Sequence, residues 1–340
     1  MSRGAISRGP FPQLRRDPIV ERWVLVAPER ATRPMELTAA AGPRERGPCP
    51  FCEGEEARTP HEVYAIRRPG TAVDGPGWQV RVVSNLFPAA RGDAAPVSAE
   101  KPFVAEPGYG WHEVVIEWPD HQTSLAELPV DHVRTVLAVY RARMSAMSAD
   151  PQLKHVQVFK NHGLAAGASV EHVHSQILAV SRIPRELEAE MHGAADHFRR
   201  QGSCAFCDLL RSELSAGQRV VDLRPNVAAI AAYAGRFPFE TWIMPRRHSS
   251  SFRDADDEQI ADLAVTLHGV LRRLEQIVPD VGYNLVLHTA PIHDAERPDY
   301  HWHWELLPRT TGIAGFELST GWFVNPVPPE VAAAQMRGEP

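Results

Sequence analysis

The densest chemistry in the chain is the stretch Asn161-His162-Gly163-Leu164-Ala165-Ala166-Gly167-Ala168-Ser169-Val170-Glu171-His172-Val173-His174-Ser175-Gln176. Side chains alternate between the faces of a strand, so His172, His174 and Gln176 are expected on one side. Three polar residues on one face of an otherwise apolar strand each need a partner if buried. That argues against ordinary core histidines. A neutral imidazole held in one tautomer is a good nucleophile toward phosphorus, and His174 fits that role if a metal pins His172. Gln176, Ser169 and the backbone amides of the turn from Gly167 to Ser169 are then placed to donate to phosphoryl oxygens.

The metal has its own signature. The four cysteines form two pairs, Cys49-Pro-Phe-Cys52 and Cys204-Ala-Phe-Cys207. A CxxC motif fits zinc or a redox pair. Redox motifs sit between a strand and a helix in a βαβ pattern, and neither flank reads that way. Histidine completes two Cys₂His₂ sets of the kind that hold structural zinc: Cys49, Cys52, His121 and His172, and Cys204, Cys207, His248 and His301. His303 competes with His301 for the last position. Both halves follow one order: CxxC, then a strand ended by a proline with a histidine two or three residues on, then a strand carrying His-x-His. We read this as an internal duplication of one α+β unit of roughly 150 residues, a usual domain size, divided as 1–181 and 182–340.

The elements that must position these groups are legible from periodicity. Alternation predicts strands over 156–160 and 170–180, with partners over 283–287 and 300–307. Short apolar runs at 114–118 and 241–244 each end at a proline. Helical spacing predicts 131–147, with Val133, Val136, Leu137, Tyr140 and Met144 on one face. It also predicts 184–200, and 256–277 with Ile260, Leu263, Leu267, Val270, Leu271 and Leu274 together. These stripes are core faces. Residues 32–48 and 70–77 read as Pro/Gly-rich loops, and no glycine-rich phosphate loop is present.

Composition excludes several classes. The chain has 340 residues and 30 prolines, well above the usual share of about 5%, so it turns often. Lys and Arg total 36 against 42 Asp and Glu, a net charge of −6. No basic stripe flanks either CxxC, so nucleic acid is not the expected partner. No apolar run approaches the roughly 18 residues of a membrane helix. The Arg/Pro-rich start has no apolar signal core, so a cytoplasmic location is expected, where paired cysteines favour metal over disulfides.

On the motif His172-Val173-His174-Ser175-Gln176, residues 17–330 resemble the galactose-1-phosphate uridylyltransferase family of the histidine-triad superfamily. The resemblance implies an α+β fold of two pseudo-repeated histidine-triad-like units, each an antiparallel sheet with packed helices. It implies that His174 becomes nucleotidylated, that His172 binds zinc and that Gln176 serves the phosphate. Asn161 and Ser169 match residues near the nucleotide phosphates, and Asn85, in Ser84-Asn85-Leu86-Phe87-Pro88, matches a nucleoside-binding asparagine. Arg30 and Arg33 match arginines that reach a phosphate from the partner subunit, which implies a homodimer. The implied cofactors are two zinc ions per chain, the second replaceable by iron. His303 takes the place of His174 in the second half, but Glu305 replaces the glutamine, so that half reads as a scaffold.

The match departs from the family in three places. Val173 stands where many members have proline. The second CxxC is a feature of the ADP-glucose phosphorylase branch. In Thr311-Gly312-Ile313-Ala314-Gly315-Phe316-Glu317 and beyond, the family's lysine and glutamine have no counterparts, while Glu317 remains to meet sugar hydroxyls. The implied activity is a ping-pong UDP-glucose:hexose-1-phosphate uridylyltransferase of galactose metabolism. Its substrates are a nucleotide sugar and a sugar 1-phosphate. The alternatives are an ADP-glucose phosphorylase using inorganic phosphate, more distantly a dinucleoside-polyphosphate phosphorylase, and, outside enzymes, a zinc-stabilised nucleotide-binding protein.

Overall fold

Val80 and Val82 alternate with Gln79 and Arg81, and Val156 and Val158 with His155 and Gln157, so the strands they form bury an apolar side in the core. A computed structural model describes residues 11–32 and 48–339; Arg33, and most of the expected 32–48 loop, lie outside the described residues. In chain order the main elements are β1 (Gln13–Arg16), β2 (Trp23–Val26), β3 (Glu62–Arg67), β4 (Trp78–Ser84), β5 (Val104–Pro107), β6 (Gly110–Ile116), α1 (Val130–Met147), β7 (His155–His162) and β8 (His174–Val180). Then follow α2 (Arg185–Gln201), α3 (Ala205–Ala216), β9 (Val220–Leu223), β10 (Val227–Ala231), β11 (Thr241–Pro245), α4 (Asp257–Ile277), β12 (Tyr283–His288), β13 (His303–Pro308), α5 (Gly315–Thr320) and α6 (Pro329–Met336). The fold is α+β.

Ten strands form one antiparallel sheet in the order β3-β4-β6-β8-β7-β12-β13-β11-β10-β9, and β2-β1-β5 form a small second sheet. At the middle of the large sheet β7 pairs with β12, Asn161 opposite Asn284. One face of this sheet is largely apolar. Val156, Val158, Ile177, Ala179, Leu285, Leu287, Trp304 and Leu306 are buried there with the expected stripes of α1 and α4. Burial of such side chains is worth roughly 1.5–3 kcal/mol each, which fixes the register, since a one-residue slip would turn each strand over. The opposite face carries the chemistry: His174 and Gln176 on β8, Asn161 on β7, Asn284 and His288 on β12, and His303 and Glu305 on β13.

The three expected helices form with their ends shifted by about one residue. Asp256 caps α4, its side chain accepting from Gln259 N at 2.8 Å while Gln259 returns a bond to the Asp256 amide. That capping box satisfies two otherwise orphaned donors. Two strands are shorter than expected. The strand expected over 170–180 starts only at His174, and that expected over 300–307 starts at His303. The reason lies in the backbone: Val173 N bonds to Gln122 O, and Glu117 N bonds to Val173 O, beyond the last β6–β8 pair of Ile116 with His174. His172 therefore sits ahead of the ladder, where its ring can reach the cysteines. Among the described residues no helix is long and apolar enough to cross a membrane.

Candidate active site

His174 opens β8 and is 6% exposed. Its Nδ1 lies 2.7 Å from the His172 carbonyl. A carbonyl can only accept, so Nδ1 carries the proton and Nε2 keeps its lone pair. Burial pushes the imidazole pKa down to about 4, against the opposing pull of that carbonyl, so the ring is neutral at ordinary pH. Beneath it, Lys160 Nζ donates to the His174 carbonyl at 2.9 Å and to Glu117 Oε2 at 2.6 Å, and Tyr140 OH donates to Glu117 Oε1 at 2.8 Å. Burial opposes ionisation of Glu117, and Lys160 followed by Tyr140 outweighs it, keeping the carboxylate below its usual range. The nucleophile's backbone thus rests on a buried ion pair whose hydrogen bonds are satisfied.

Gln176 is oriented by a residue the sequence reading assigned no role. Ala89 N donates to His112 Nδ1 at 3.0 Å, so His112 carries its proton on Nε2 and gives it to Gln176 Oε1 at 2.9 Å. The NH₂ of Gln176 is left to donate. Asn85 is fixed in a similar way, its Oδ1 accepting from Phe87 N at 2.9 Å. His174, Gln176 and Asn85 line one pocket with Phe51, Thr59, Pro60, Val114 and Ser169. Phe51 meets the His174 ring edge-on, with centroids 5.3 Å apart. Apolar walls with a few fixed polar groups are what a nucleoside needs. Gly167 closes the short helical turn at Leu164–Ala166 with φ +81°, a left-handed position that glycine takes without strain, and the chain then enters the pocket at Ser169. Arg30 Nη1 donates to the Phe87 carbonyl at 2.8 Å, behind the pocket wall.

Both expected Cys₂His₂ sets assemble. In the first, Cys49 Sγ lies 3.6 Å from His172 Nδ1, and Cys52 Sγ lies 3.8 Å from His121 Nδ1 and 3.7 Å from His172 Nδ1. In the second, Cys207 Sγ is 3.4 Å from both His248 Nδ1 and His301 Nδ1, with Cys204 completing the group. A tetrahedral zinc separates its sulfur and nitrogen ligands by roughly 3.5 Å, so both sets fit the ion. The far nitrogens also fit: His172 Nε2 faces Trp118 O at 2.8 Å, His248 Nε2 faces Arg297 O at 2.9 Å and His301 Nε2 faces Pro245 O at 2.9 Å. Each carbonyl takes the Nε2 proton and leaves Nδ1 for a metal. Cys204 caps α3, which follows another helix rather than a strand.

His301, not His303, joins the second cysteine pair. His303 instead belongs to a third cluster with Glu190 and His288, which the sequence reading missed. Its ring stacks against Trp242 and His288, with centroids 4.9 and 4.8 Å away. His288 donates to Glu190 Oε2 at 2.8 Å and lies 3.3 Å from Glu305 Oε2. Burial works against a charge on His288, and these two carboxylates outweigh it, raising the pKa to about 10. Only tertiary packing brings Glu190, on α2, to this sheet.

Glu317 stands apart from the His174 pocket. It lies on a helix, α5, where Glu317 Oε2 accepts from Ala314 N at 3.1 Å. Gly321, at φ +72°, ends that helix.

The galactose-1-phosphate uridyl transferase N-terminal domain matches residues 7–184, and the C-terminal domain of the same enzymes matches residues 190–322. The chain belongs to this family. It is an enzyme of nucleotidyl transfer. An ADP-glucose phosphorylase from Arabidopsis thaliana is 33% identical over 335 residues, covering 96% of this chain and 92% of that one. A galactose-1-phosphate uridylyltransferase from Thermotoga maritima is 26% identical over 335 residues, covering 96% and 98%. A solved uridylyltransferase structure superposes with a TM-score of 0.81 at 27% identity, covering 96% and 97%.

Proposed function

We propose that the chain moves a nucleotidyl group from a nucleotide sugar to a phosphate through His174. The observation that carries this is the His174 ring, neutral and with Nε2 unprotonated, in a pocket beside the outward NH₂ of Gln176. Nε2 attacks the α-phosphorus, the bond to the bridging oxygen breaks, and sugar 1-phosphate leaves. An oxygen of a second phosphate then attacks the same phosphorus and releases His174. Two displacements replace one harder step. Gln176, Ser169, Asn161 and the turn at Gly167 stabilise charge on the equatorial oxygens, and Asn85 holds the nucleoside. Arg30 and Arg33 serve a phosphate, across a homodimer.

The main reading is a UDP-glucose:hexose-1-phosphate uridylyltransferase of galactose metabolism, cytoplasmic, in which Glu317 meets sugar hydroxyls. A second reading, an ADP-glucose phosphorylase with inorganic phosphate as acceptor, is favoured by the 33% identity to the Arabidopsis protein and by the missing lysine and glutamine around Glu317. In both readings the chain comprises two pseudo-repeated histidine-triad-like units, 1–181 and 182–340, each stabilised by a structural zinc, with iron as the alternative in the second.

Intact mass after incubation with UDP-glucose, and separately with ADP-glucose, tests this on wild type and His174→Asn. A UMP adduct on wild type alone supports the uridylyltransferase. An AMP adduct alone supports the phosphorylase. No adduct from protein that binds both sugars overturns the covalent mechanism.

A further inference from the structure

The two halves of the sheet meet along β7 and β12, and there one side chain of the second half touches a candidate phosphate-binding residue of the first. On β12, Asn284 faces Asn161 across the β7–β12 ladder. Its Nδ2 donates to Asn161 Oδ1 at 2.8 Å and to the Ala166 carbonyl at 2.9 Å, and its Oδ1 accepts from Arg309 Nε at 2.5 Å. Two of these partners have fixed chemistry. A backbone carbonyl only accepts and a guanidinium only donates, so the Asn284 amide can sit one way round only. That in turn fixes Asn161: the atom meeting Asn284 must be its oxygen, and its NH₂ is the group left over.

Where that NH₂ is available follows from register. Phe159 pairs with Gln176 across β7 and β8, so by the two-residue period Asn161 lies on the face of His174 and Gln176. Asn284 also ties down Ala166, the last residue before the Gly167 turn. Arg309 itself lies over the Phe237 ring at 4.5 Å and makes no ion pair among the described residues.

We infer that Asn284, held by Arg309, is a positioning residue for nucleotidyl transfer: it turns the NH₂ of Asn161 toward the reacting phosphate. This rests on the covalent reading of His174. It gives the second half a part in the reaction beyond scaffolding, since Asn161 is oriented from β12 as Gln176 is oriented by His112 on β6.

Asn284→Asp tests it in the full-length enzyme. The aspartate keeps the size and the bond to Arg309 but presents oxygen to Asn161, whose amide must flip and show its carbonyl to the phosphate. The rate of nucleotidyl-enzyme formation should fall roughly 10–100-fold. Asn161→Ala should cost a similar factor, and the double variant no more than the worse single one. Multiplying effects, or a wild-type rate in Asn284→Asp, overturn the inference. Arg309→Met, which leaves Asn284 bound only through its NH₂, should show a smaller loss of the same kind, roughly three- to tenfold.

Binding separates this from failure of the covalent chemistry. Asn284→Asp should weaken UMP and AMP but leave uridine and adenosine unchanged. Equal weakening of nucleotides and nucleosides overturns the positioning role. A selective loss for the nucleotides, in a protein whose wild type forms no His174 adduct, would retain the positioning role and reject the mechanism.

Discussion

The strand motifs His172-Val173-His174 and His301-Trp302-His303 begin alike and end differently. In both, the first histidine turns its Nδ1 to a cysteine pair, and the second directs its Nδ1 at the carbonyl of the first, at 2.7 Å for His174 and 3.2 Å for His303. At His174 the chemical face of the sheet opens into a pocket walled by Phe51, Phe87 and Val114. At His303 the same face is sealed: the residue is fully buried, and Leu187 and Met191 of α2 pack with Phe206 and Tyr300 above it. The partners differ as well. Gln176 is a neutral amide with donors to offer, whereas Glu305 is an anion already paired with Arg236 and His288. An attacking nitrogen needs access and a neutral surround with donors aimed at the phosphate; the first site has these, and the second has a charged, closed cluster.

The largest expected effect comes from exchanging the two histidines' fates. His174→Asn should abolish the nucleotidyl-enzyme in intact mass and lower turnover by about 10⁴-fold or more. His303→Asn should leave adduct formation in place. Loss of the adduct in His303→Asn as well would end the distinction between the sites. Gln176→Glu makes the first site resemble the second. It removes a donor and sets a negative charge beside the phosphate, so kcat should fall roughly 10²–10³-fold, measured in steady state.

The metal sets offer a subtler contrast. Cys52→Ser and Cys207→Ser should each lower bound zinc by about one ion per chain in elemental analysis. Cys52→Ser should also cut nucleotidylation, because His172 carries the carbonyl that fixes the His174 tautomer. Cys207→Ser should act mainly on thermal stability. Equal damage to nucleotidylation from both would show that the second set also supports the chemistry.

The smallest effect concerns pH. His288 titrates near 10 in the folded protein against about 6.5 unfolded. A raised folded pKa stabilises fully below the unfolded value and loses that stabilisation as pH rises through the folded one. The melting temperature should therefore decline between about pH 6.5 and 10, and His288→Gln should flatten that decline. A wild-type decline no steeper than that of the variant would mean the cluster holds no charge.

The helical stripes of α1 and α4 and the alternation of β7 and β12 were readable because apolar spacing follows local geometry. The two Cys₂His₂ sets were readable because a CxxC motif commits two ligands to one ion and narrows the search for the rest. The choice of His301 over His303 was not readable. It depends on the backbone leaving the ladder just before β8 and β13, so that the first histidine of each pair swings toward the cysteines. Nor were His112, Glu190 and Asn284. They lie about 60, 110 and 120 residues from the groups they meet, on strands and a helix brought together by packing, and no spacing signal links them to their partners.

By itself, then, the sequence determined which residue types were present to bind metal, to attack phosphorus and to build two sets of strands and helices. Those are properties of single side chains and of periods of two and 3.6 residues. The tertiary structure decided which histidine faces an open pocket, which is neutral and which is charged, and which way each amide points. Burial, carbonyl direction and the identity of the neighbour set those properties, and each is fixed only when distant segments meet across the sheet.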